Sequence, residues 1–392
     1  MQAPIVIAGG GFGGLYTALE LAKRSNRPPL LLIEPRDRFL FLPFLYELLS
    51  GEMPLWQMAP RYSELLANQG IGWLRDRVEA VDPGASNITT AAGQTIQFER
   101  LVLACGSRPN HFNIPGAESN CLGFHNLADV KKLRGIVCEL QQQKPGGERQ
   151  RLAVVGAGPG GVELACTLAE LLDGKADVEL IERNELCLPS SKAFNRASAI
   201  SALEQGKVRL RCHCQVREVG SDWLGVSSAG SEEIERLSVK AVIWTAGQRC
   251  QPPAGPLPQD HLGRLSCTAE LQLEGLPQIF AIGDSALVPH DPALPASAQV
   301  AFQQSSLLAK NLLESLAGRE MAPFQWRDLG EMLSLGNNSA SITALGFTLA
   351  GPAAKQLRRW AYLSRLPGNK LPLQVAAGWL SGPIQSCTSE LP

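Results

Sequence analysis

Short apolar runs, each closed by glycines and followed by a helical pattern, recur along this 392-residue chain. The first, Ile5-Val6-Ile7-Ala8, shows no polar alternation, as expected of a strand covered on both faces of a parallel sheet. It breaks into Gly9, Gly11 and Gly14, after which a helical pattern runs from Leu15 to Lys23. A second apolar run, Leu30 to Ile33, ends in Glu34. The same order returns at Leu152. The run to Val155 is followed by Gly156, Gly158 and Gly161, a helix opening on Val162-Glu163-Leu164-Ala165, and a strand Val178 to Ile181 ending in Glu182. The acid follows the third glycine by 20 residues in the first copy (34 − 14) and by 21 in the second (182 − 161).

Each part of this pattern has a physical role. The first glycine permits a tight turn, the second lets backbone approach a pyrophosphate, and the third lets helix and strand pack closely. The helix start presents unpaired N–H groups to phosphate, and the acid accepts from ribose hydroxyls. One G-x-G-x-x-G is weak, but two complete copies require chance to supply both offsets. They predict an α/β protein with two Rossmann-like dinucleotide-binding domains, and FAD exchanging a hydride with a nicotinamide cofactor is the economical pairing. Glu182 suits the 2′-hydroxyl of NADH and opposes the 2′-phosphate of NADPH, although Arg183 beside it can receive that phosphate.

Between the copies, residues 71–104 alternate in short segments broken by Asp82-Pro83-Gly84 and Ala92-Gly93, a strand meander ending on Leu101 to Ser107. Ala241 to Gly247 repeats that strand and small-residue turn. A proline-rich linker, 252–258, then leads to the strand Gln278 to Ala281 and to Gly283-Asp284, where the aspartate either binds flavin ribityl hydroxyls or caps a helix. In the next helix Gln299 and Gln303 stand one turn apart, either solvated or bordering the flavin. The expected division is an FAD-binding domain from residues 1–115 and 276–330, an NAD(P)H-binding domain at 116–275, and a C-terminal region at 331–392.

Composition narrows the reading. A formal net charge of −1 gives no basic field for nucleic acid. The ten cysteines include no C-x-x-C pair, which supports neither a disulfide scaffold nor a thiolate metal site. Cys212 and Cys214 are expected on one face of a strand Val208–Val216, as buried thiols. The chain opens directly on a strand, without a signal-peptide pattern, and no apolar run reaches the roughly 18–20 residues of a spanning helix. The expectation is an intracellular protein that meets a membrane, if at all, from its cytoplasmic face. The segment Phe39 to Gly51, rich in large apolar residues, reads as core or as a wall for a flat ring.

These motifs resemble the type II NAD(P)H:quinone oxidoreductases, over roughly residues 4 to 375. The resemblance rests on Ile7 to Leu15, Phe41 to Glu47, Leu103 to Ser107, Val155 to Ala165, Trp244 to Gly247, Phe280 to Asp284 and the Ala-Gln-x-Ala-x-Gln of 298–303. Without a calcium-binding insert, the chain looks most like the cyanobacterial and plastid demethylphylloquinone reductases. The resemblance implies non-covalent FAD held by Gly9, Gly11, Phe12, Gly13, Gly14, Glu34, Pro43, Ala104, Gly106 and Asp284. NADH or NADPH would be held by Gly156, Gly158, Gly161, Glu182 and Gly247. Glu163, Gln299 and Gln303 would serve catalysis, with no metal. The implied acceptor is a membrane quinone, a naphthoquinone such as demethylphylloquinone, with plastoquinone or menaquinone as the alternative; a homodimer stays open.

Departures bear on the alternatives. No cysteine pair follows the first glycines, which disfavours a thiol relay, and Cys105 stands where the family usually has threonine. Cys121 invites comparison with sulfide:quinone oxidoreductases, but the intact second fingerprint argues for nicotinamide. A soluble reductase of a protein acceptor would need a charged docking face, and a redox-sensing binding protein would show little turnover. Lys355, Arg358, Arg359 and Arg365, interleaved with Leu357, Trp360, Tyr362, Leu363 and Leu366, read as a basic interfacial helix, the membrane-associating part of the C-terminal region. The other reading is a helix packed on its own body.

Overall fold

The computed structural model describes residues 2–143, 149–289, 294–336, 338–368 and 370–380. They divide into two compact units: residues 2–40, 59–108 and 248–327 in the first, residues 41–58, 109–247 and the described part of 328–380 in the second.

The first unit is built on a six-stranded sheet in the order Gln272–Leu273, Leu276–Ala281, Arg100–Leu103, Ile5–Ala8, Leu30–Ile33, Ile71–Leu74. All its neighbours pair in parallel except the first two. Ile5, Val6 and Ile7 are fully buried, as their unbroken apolar run requires. Helices Phe12–Ala22 and Ala298–Leu316 meet through the rings of Tyr16 and Phe302, 4.9 Å apart. The meander forms a separate three-stranded antiparallel sheet, Val78–Asp82, Asn87–Thr90 and Thr95–Gln97.

The second unit repeats the plan. Its five-stranded parallel sheet runs Arg209–Arg211, Asp177–Ile181, Arg151–Val155, Ala241–Trp244, Cys121–Leu122. Ala153, Val155, Ile181 and Trp244 form a core with Leu224, Val226 and Leu237 of an antiparallel sheet. The C-terminal strands Glu331–Ser334, Ala340–Ala344 and Phe347–Gly351 belong to this unit, followed by helices Pro352–Leu363 and Lys370–Leu380.

Three expectations meet a different arrangement. The segment 331–380 is not a separate body. Fully buried Asn195, on helix Ala193–Gln205, donates to the Glu331 carboxylate at 2.9 Å and accepts from Ser341 and Thr343 at 2.6 and 2.9 Å, tying the C-terminal strands to the second unit. Residues 41–58 join that unit through Phe41 and Phe44, whose rings lie 5.8 and 5.7 Å from Tyr362, and residues 248–275 join the first. The strand expected over Val208–Val216 is broken: His213 takes φ +52°, so Arg209–Arg211 and Cys214–Val219 belong to different sheets. Cys212 and Cys214 therefore share no strand face.

Candidate active site

In the first unit the predicted residues gather at the carboxyl ends of adjacent parallel strands, where ligands bind in open α/β sheets. Gly9 has φ +104°, and a Cβ there would stand 2.4 Å from the Ala104 carbonyl. A Cβ on Gly14 would stand 1.9 Å from the Gly9 carbonyl, so the helix reaches the turn only because both side chains are missing. Gly13 similarly makes room for Ile282. Gly11 faces open space and begins helix Phe12–Ala22 with no side-chain cap, which leaves the helix N–H groups to an anion. Phe12 itself packs against Phe39, with ring centroids 5.3 Å apart.

Glu34, 2 % exposed, accepts from the Gly10 N–H at 2.7 Å. Arg36 supplies three more donors at 3.0, 2.7 and 3.0 Å. Burial raises the Glu34 carboxyl, but the Arg36 hydrogen bonds and charge outweigh it and hold it below the usual carboxylate range. The four donors are shared two to each carboxylate oxygen, which fills its lone-pair positions. In the turn after strand Arg100–Leu103, Ala104 is buried and Gly106 has φ +65°. Asp284 accepts from the Ser107 hydroxyl at 2.7 Å, and burial pushes its carboxyl up.

Gln304, which the sequence reading passed over, is 1 % exposed and accepts from the Gly283 N–H at 2.8 Å, fixing the Gly-Asp turn against helix Ala298–Leu316. Gln303 bonds the Arg327 backbone through both ends of its amide, at 2.9 and 3.2 Å. Gln299 lies in the first turn of the same helix. Tyr62, also missed, donates to the Gly10 carbonyl at 2.6 Å and closes one side of the turn.

The second unit repeats the construction. Gly156 has φ +101° and packs on Ala246, while a Cβ on Gly161 would stand 1.8 Å from the Gly156 carbonyl. Gly158 faces open space and begins helix Pro159–Leu172 without a side-chain cap. Glu182 accepts from the Ala157 N–H at 2.8 Å, as Glu34 does from Gly10. Asn184 takes the place of Arg36, donating its N–H at 2.8 Å and its amide at 2.7 Å to the other carboxylate oxygen. Gly247 has φ +69° and lies against Phe112. Open glycines at two uncapped helix starts, each beside a buried carboxylate, fit the diphosphate and ribose of two dinucleotides.

Below the second fingerprint lies a buried charge cluster whose extent the sequence did not reveal. Arg358, 1 % exposed, pairs with buried Glu47, donates to the Pro43 carbonyl at 2.7 Å and stands 3.7 Å from Glu163. Glu163, 9 % exposed, accepts from the Ser334 N–H at 2.7 Å. Burial pushes its carboxyl up to about 7, against the opposing charge of Arg358 and the Ser334 N–H. A lone acid within Leu45-Tyr46-Glu47-Leu48-Leu49 was the available signal, since a buried carboxylate demands a partner. The segment from Phe39 to Leu49 is mostly core; Leu42 is its exposed member, at 42 %.

A stability consequence follows from Glu163. Between its ordinary value of 4.5 and about 7, the folded protein holds a proton there that the unfolded chain has released. That contribution is complete below the lower value and is lost as pH rises through the upper one. Melting temperatures of wild type and Glu163→Gln are therefore expected to diverge, with wild type losing relative stability from about pH 5 to about pH 8. Parallel curves would contradict the raised carboxyl.

Helix Pro352–Leu363 departs from the expected basic face. Lys355 and Arg358 are buried, and Lys355 pairs with Glu52 at 2.7 Å. Its exposed large apolar side chains are Leu357 and Trp360, and Leu373 and Trp56 of the same unit are exposed as well. Among the described residues no helix is long and apolar enough to cross a membrane.

Residues 3–305 match the family model of pyridine nucleotide-disulphide oxidoreductases. Demethylphylloquinone reductase of Synechocystis sp. is 37 % identical, with 97 % of this chain and 96 % of that protein covered. The alternative NAD(P)H-ubiquinone oxidoreductase C1, chloroplastic/mitochondrial, of Arabidopsis thaliana is 34 % identical, covering 96 % and 80 %. In fold, the chain is similar to NDH2 from Plasmodium falciparum solved with NADH, with a TM-score of 0.84, 17 % identity, and 97 % and 98 % of the two chains covered. The doubled nucleotide units and these full-length likenesses agree: the chain belongs to the pyridine nucleotide-disulphide oxidoreductase family, among its type II NAD(P)H:quinone oxidoreductases.

Proposed function

We propose that this protein passes two electrons from NAD(P)H through non-covalent FAD to a membrane quinone, and that the quinone is a naphthoquinone of the demethylphylloquinone type. The carrying observation is the doubled unit, in which two open glycine turns each adjoin a buried carboxylate. The 37 % identical Synechocystis protein, named for demethylphylloquinone, supports the choice of acceptor.

Bound FAD supplies hydride acceptance from the nicotinamide and two-electron delivery to the quinone. The residues of this chain bind and orient. Gly9, Gly11 and Gly14 admit the FAD diphosphate to the first helix start, Glu34 and Asp284 receive sugar and ribityl hydroxyls, and Gln299 and Gln303 border the flavin. In the second unit Gly156, Gly158 and Gly161 admit the NAD(P)H diphosphate and Glu182 takes the adenosine ribose. Glu163, poised near neutral pH, holds a proton for the reaction. Steady-state rates test the acceptor. A higher kcat/KM for short-chain naphthoquinones than for plastoquinone analogues is expected, and the reverse order would support the respiratory or photosynthetic reading.

The same proposal places the protein peripherally on a membrane, through Leu357, Trp360 and Leu373 rather than through a basic stripe. Replacing these three with glutamate is expected to abolish co-sedimentation with anionic liposomes while ferricyanide reduction persists. Unchanged sedimentation would remove this surface from the account.

A further inference from the structure

Tyr46 carries a hydroxyl placed between two acceptors of the second fingerprint helix. The residue belongs to helix Leu45–Ser50, and its ring lies 5.3 Å from that of Phe124. The hydroxyl donates to the Gly160 carbonyl at 3.3 Å, and a Cβ on Gly160 would stand 3.4 Å from it. It also bonds the Glu163 carboxylate. Gly160 and Glu163 stand one turn apart on helix Pro159–Leu172, so a single phenol reaches both.

One hydroxyl has one proton to give. Its distance to Gly160 is long against the usual O–H···O range of about 2.5–3.0 Å, as expected of a donor divided between two oxygens. Burial, and then the Glu163 charge, hold the phenol well above its ordinary range, so it stays protonated and remains a donor. Which acceptor it serves depends on Glu163. An ionised carboxylate outbids a neutral carbonyl for the proton. A protonated carboxyl has an O–H of its own to give to the phenol oxygen, which frees the phenol proton for Gly160.

The other groups around Glu163 have no such choice. The Ser334 N–H is backbone, and Arg358 is already committed to Glu47 and to the Pro43 carbonyl. Glu47 opposes a second negative charge, and Tyr362 and Cys166 feel the Glu163 charge in turn. Among these described groups, Tyr46 alone joins a bond to Glu163 with a donor that can rotate to a second acceptor.

We propose that Tyr46 is a positioning residue for the acid of the reaction: its hydroxyl rests on the Gly160 carbonyl while Glu163 holds its proton, and turns to the carboxylate when that proton leaves for the quinone. The turn supplies a hydrogen bond to a charge that is otherwise costly to leave in a buried place. The inference rests on the proposed role of Glu163 as the proton holder.

Infrared difference titration of the FAD-loaded, full-length protein tests it without turnover, through the carboxylic-acid C=O band that Glu163→Gln removes. In wild type that band is expected to fade with a midpoint of about 7. Tyr46→Phe keeps the ring against Phe124 and loses only the hydroxyl. Its midpoint is expected to lie about one pH unit higher, the size of one lost hydrogen bond to a charged group. The pH at which reoxidation of the reduced protein by a short-chain naphthoquinone begins to slow is expected to rise by the same amount. Added to Glu163→Gln, Tyr46→Phe is expected to leave the pH profile where it was. Equal midpoints in wild type and Tyr46→Phe, a midpoint that falls, or an effect of Tyr46→Phe that persists in Glu163→Gln would overturn the role of Tyr46. A wild-type band that fades near 4.5 would instead overturn Glu163 as the proton holder.

Discussion

Arg358→Met is expected to lower stability by about 3–5 kcal/mol, the usual cost of removing one partner from a buried ionic cluster. Arg358 is almost fully enclosed, pairs with Glu47, stands 3.7 Å from Glu163, and lies 4.9 Å from the Tyr362 ring centroid. Its loss leaves two carboxylates in a low-dielectric region with no cation between them. A cost of that size lowers the melting temperature by roughly 10 °C in a body of this length. The effect depends on pH in a defined sense. At acid pH Glu163 is protonated and one of the two unpaired charges disappears, so the loss is smaller there than in mildly alkaline solution. Glu47→Gln combined with Arg358→Met removes both members of the pair and is expected to recover much of the loss. A single variant that melts within about 1 °C of wild type would show that the cluster is not the anchor of helix Pro352–Leu363.

Single methyl groups at the third glycine of each fingerprint are expected to separate the two nucleotide functions. In Gly14→Ala the new Cβ would stand 1.9 Å from the Gly9 carbonyl, which cannot retreat because Gly9 itself is pressed against Ala104. Helix Phe12–Ala22 must move away from the turn, and the purified protein is expected to be largely colourless. In Gly161→Ala the clash is with the Gly156 carbonyl at 1.8 Å and with the Thr245 hydroxyl at 2.7 Å. That protein is expected to keep its flavin, while NADH reduces it with kcat/KM lower by about 10²-fold, the order of loss an ångström of misplacement brings. Absorbance of the purified variants and anaerobic NADH titration read both effects. Flavin loss from Gly161→Ala with retention in Gly14→Ala would mean that the two units hold the opposite ligands.

What was legible in the sequence was what depends on local rules. Glycine spacing, unbroken apolar strands and the terminal acids fix one βαβ unit each, and both units form as their patterns predict. The missed features depend on groups far apart in the chain. Periodicity gave Arg358 and Lys355 to an exposed basic face, because nothing local shows that Glu47 and Glu52 wait for them 311 and 303 residues away. The break at His213 was hidden because a left-handed non-glycine residue carries no composition signal. Gln304 was passed over because it stands five residues from Gln299, outside the one-turn spacing, and only packing shows that it turns toward Gly283.

The central claim, two nucleotides relaying electrons to a quinone, is tested most directly by anaerobic stopped-flow spectroscopy of the full-length flavoprotein. Mixing with NADH is expected to bleach the oxidised-flavin absorbance in one phase, and mixing the reduced protein with a short-chain naphthoquinone is expected to restore it in one two-electron phase. Flavin that NADH leaves oxidised, or reduced flavin that the quinone leaves bleached, would contradict it.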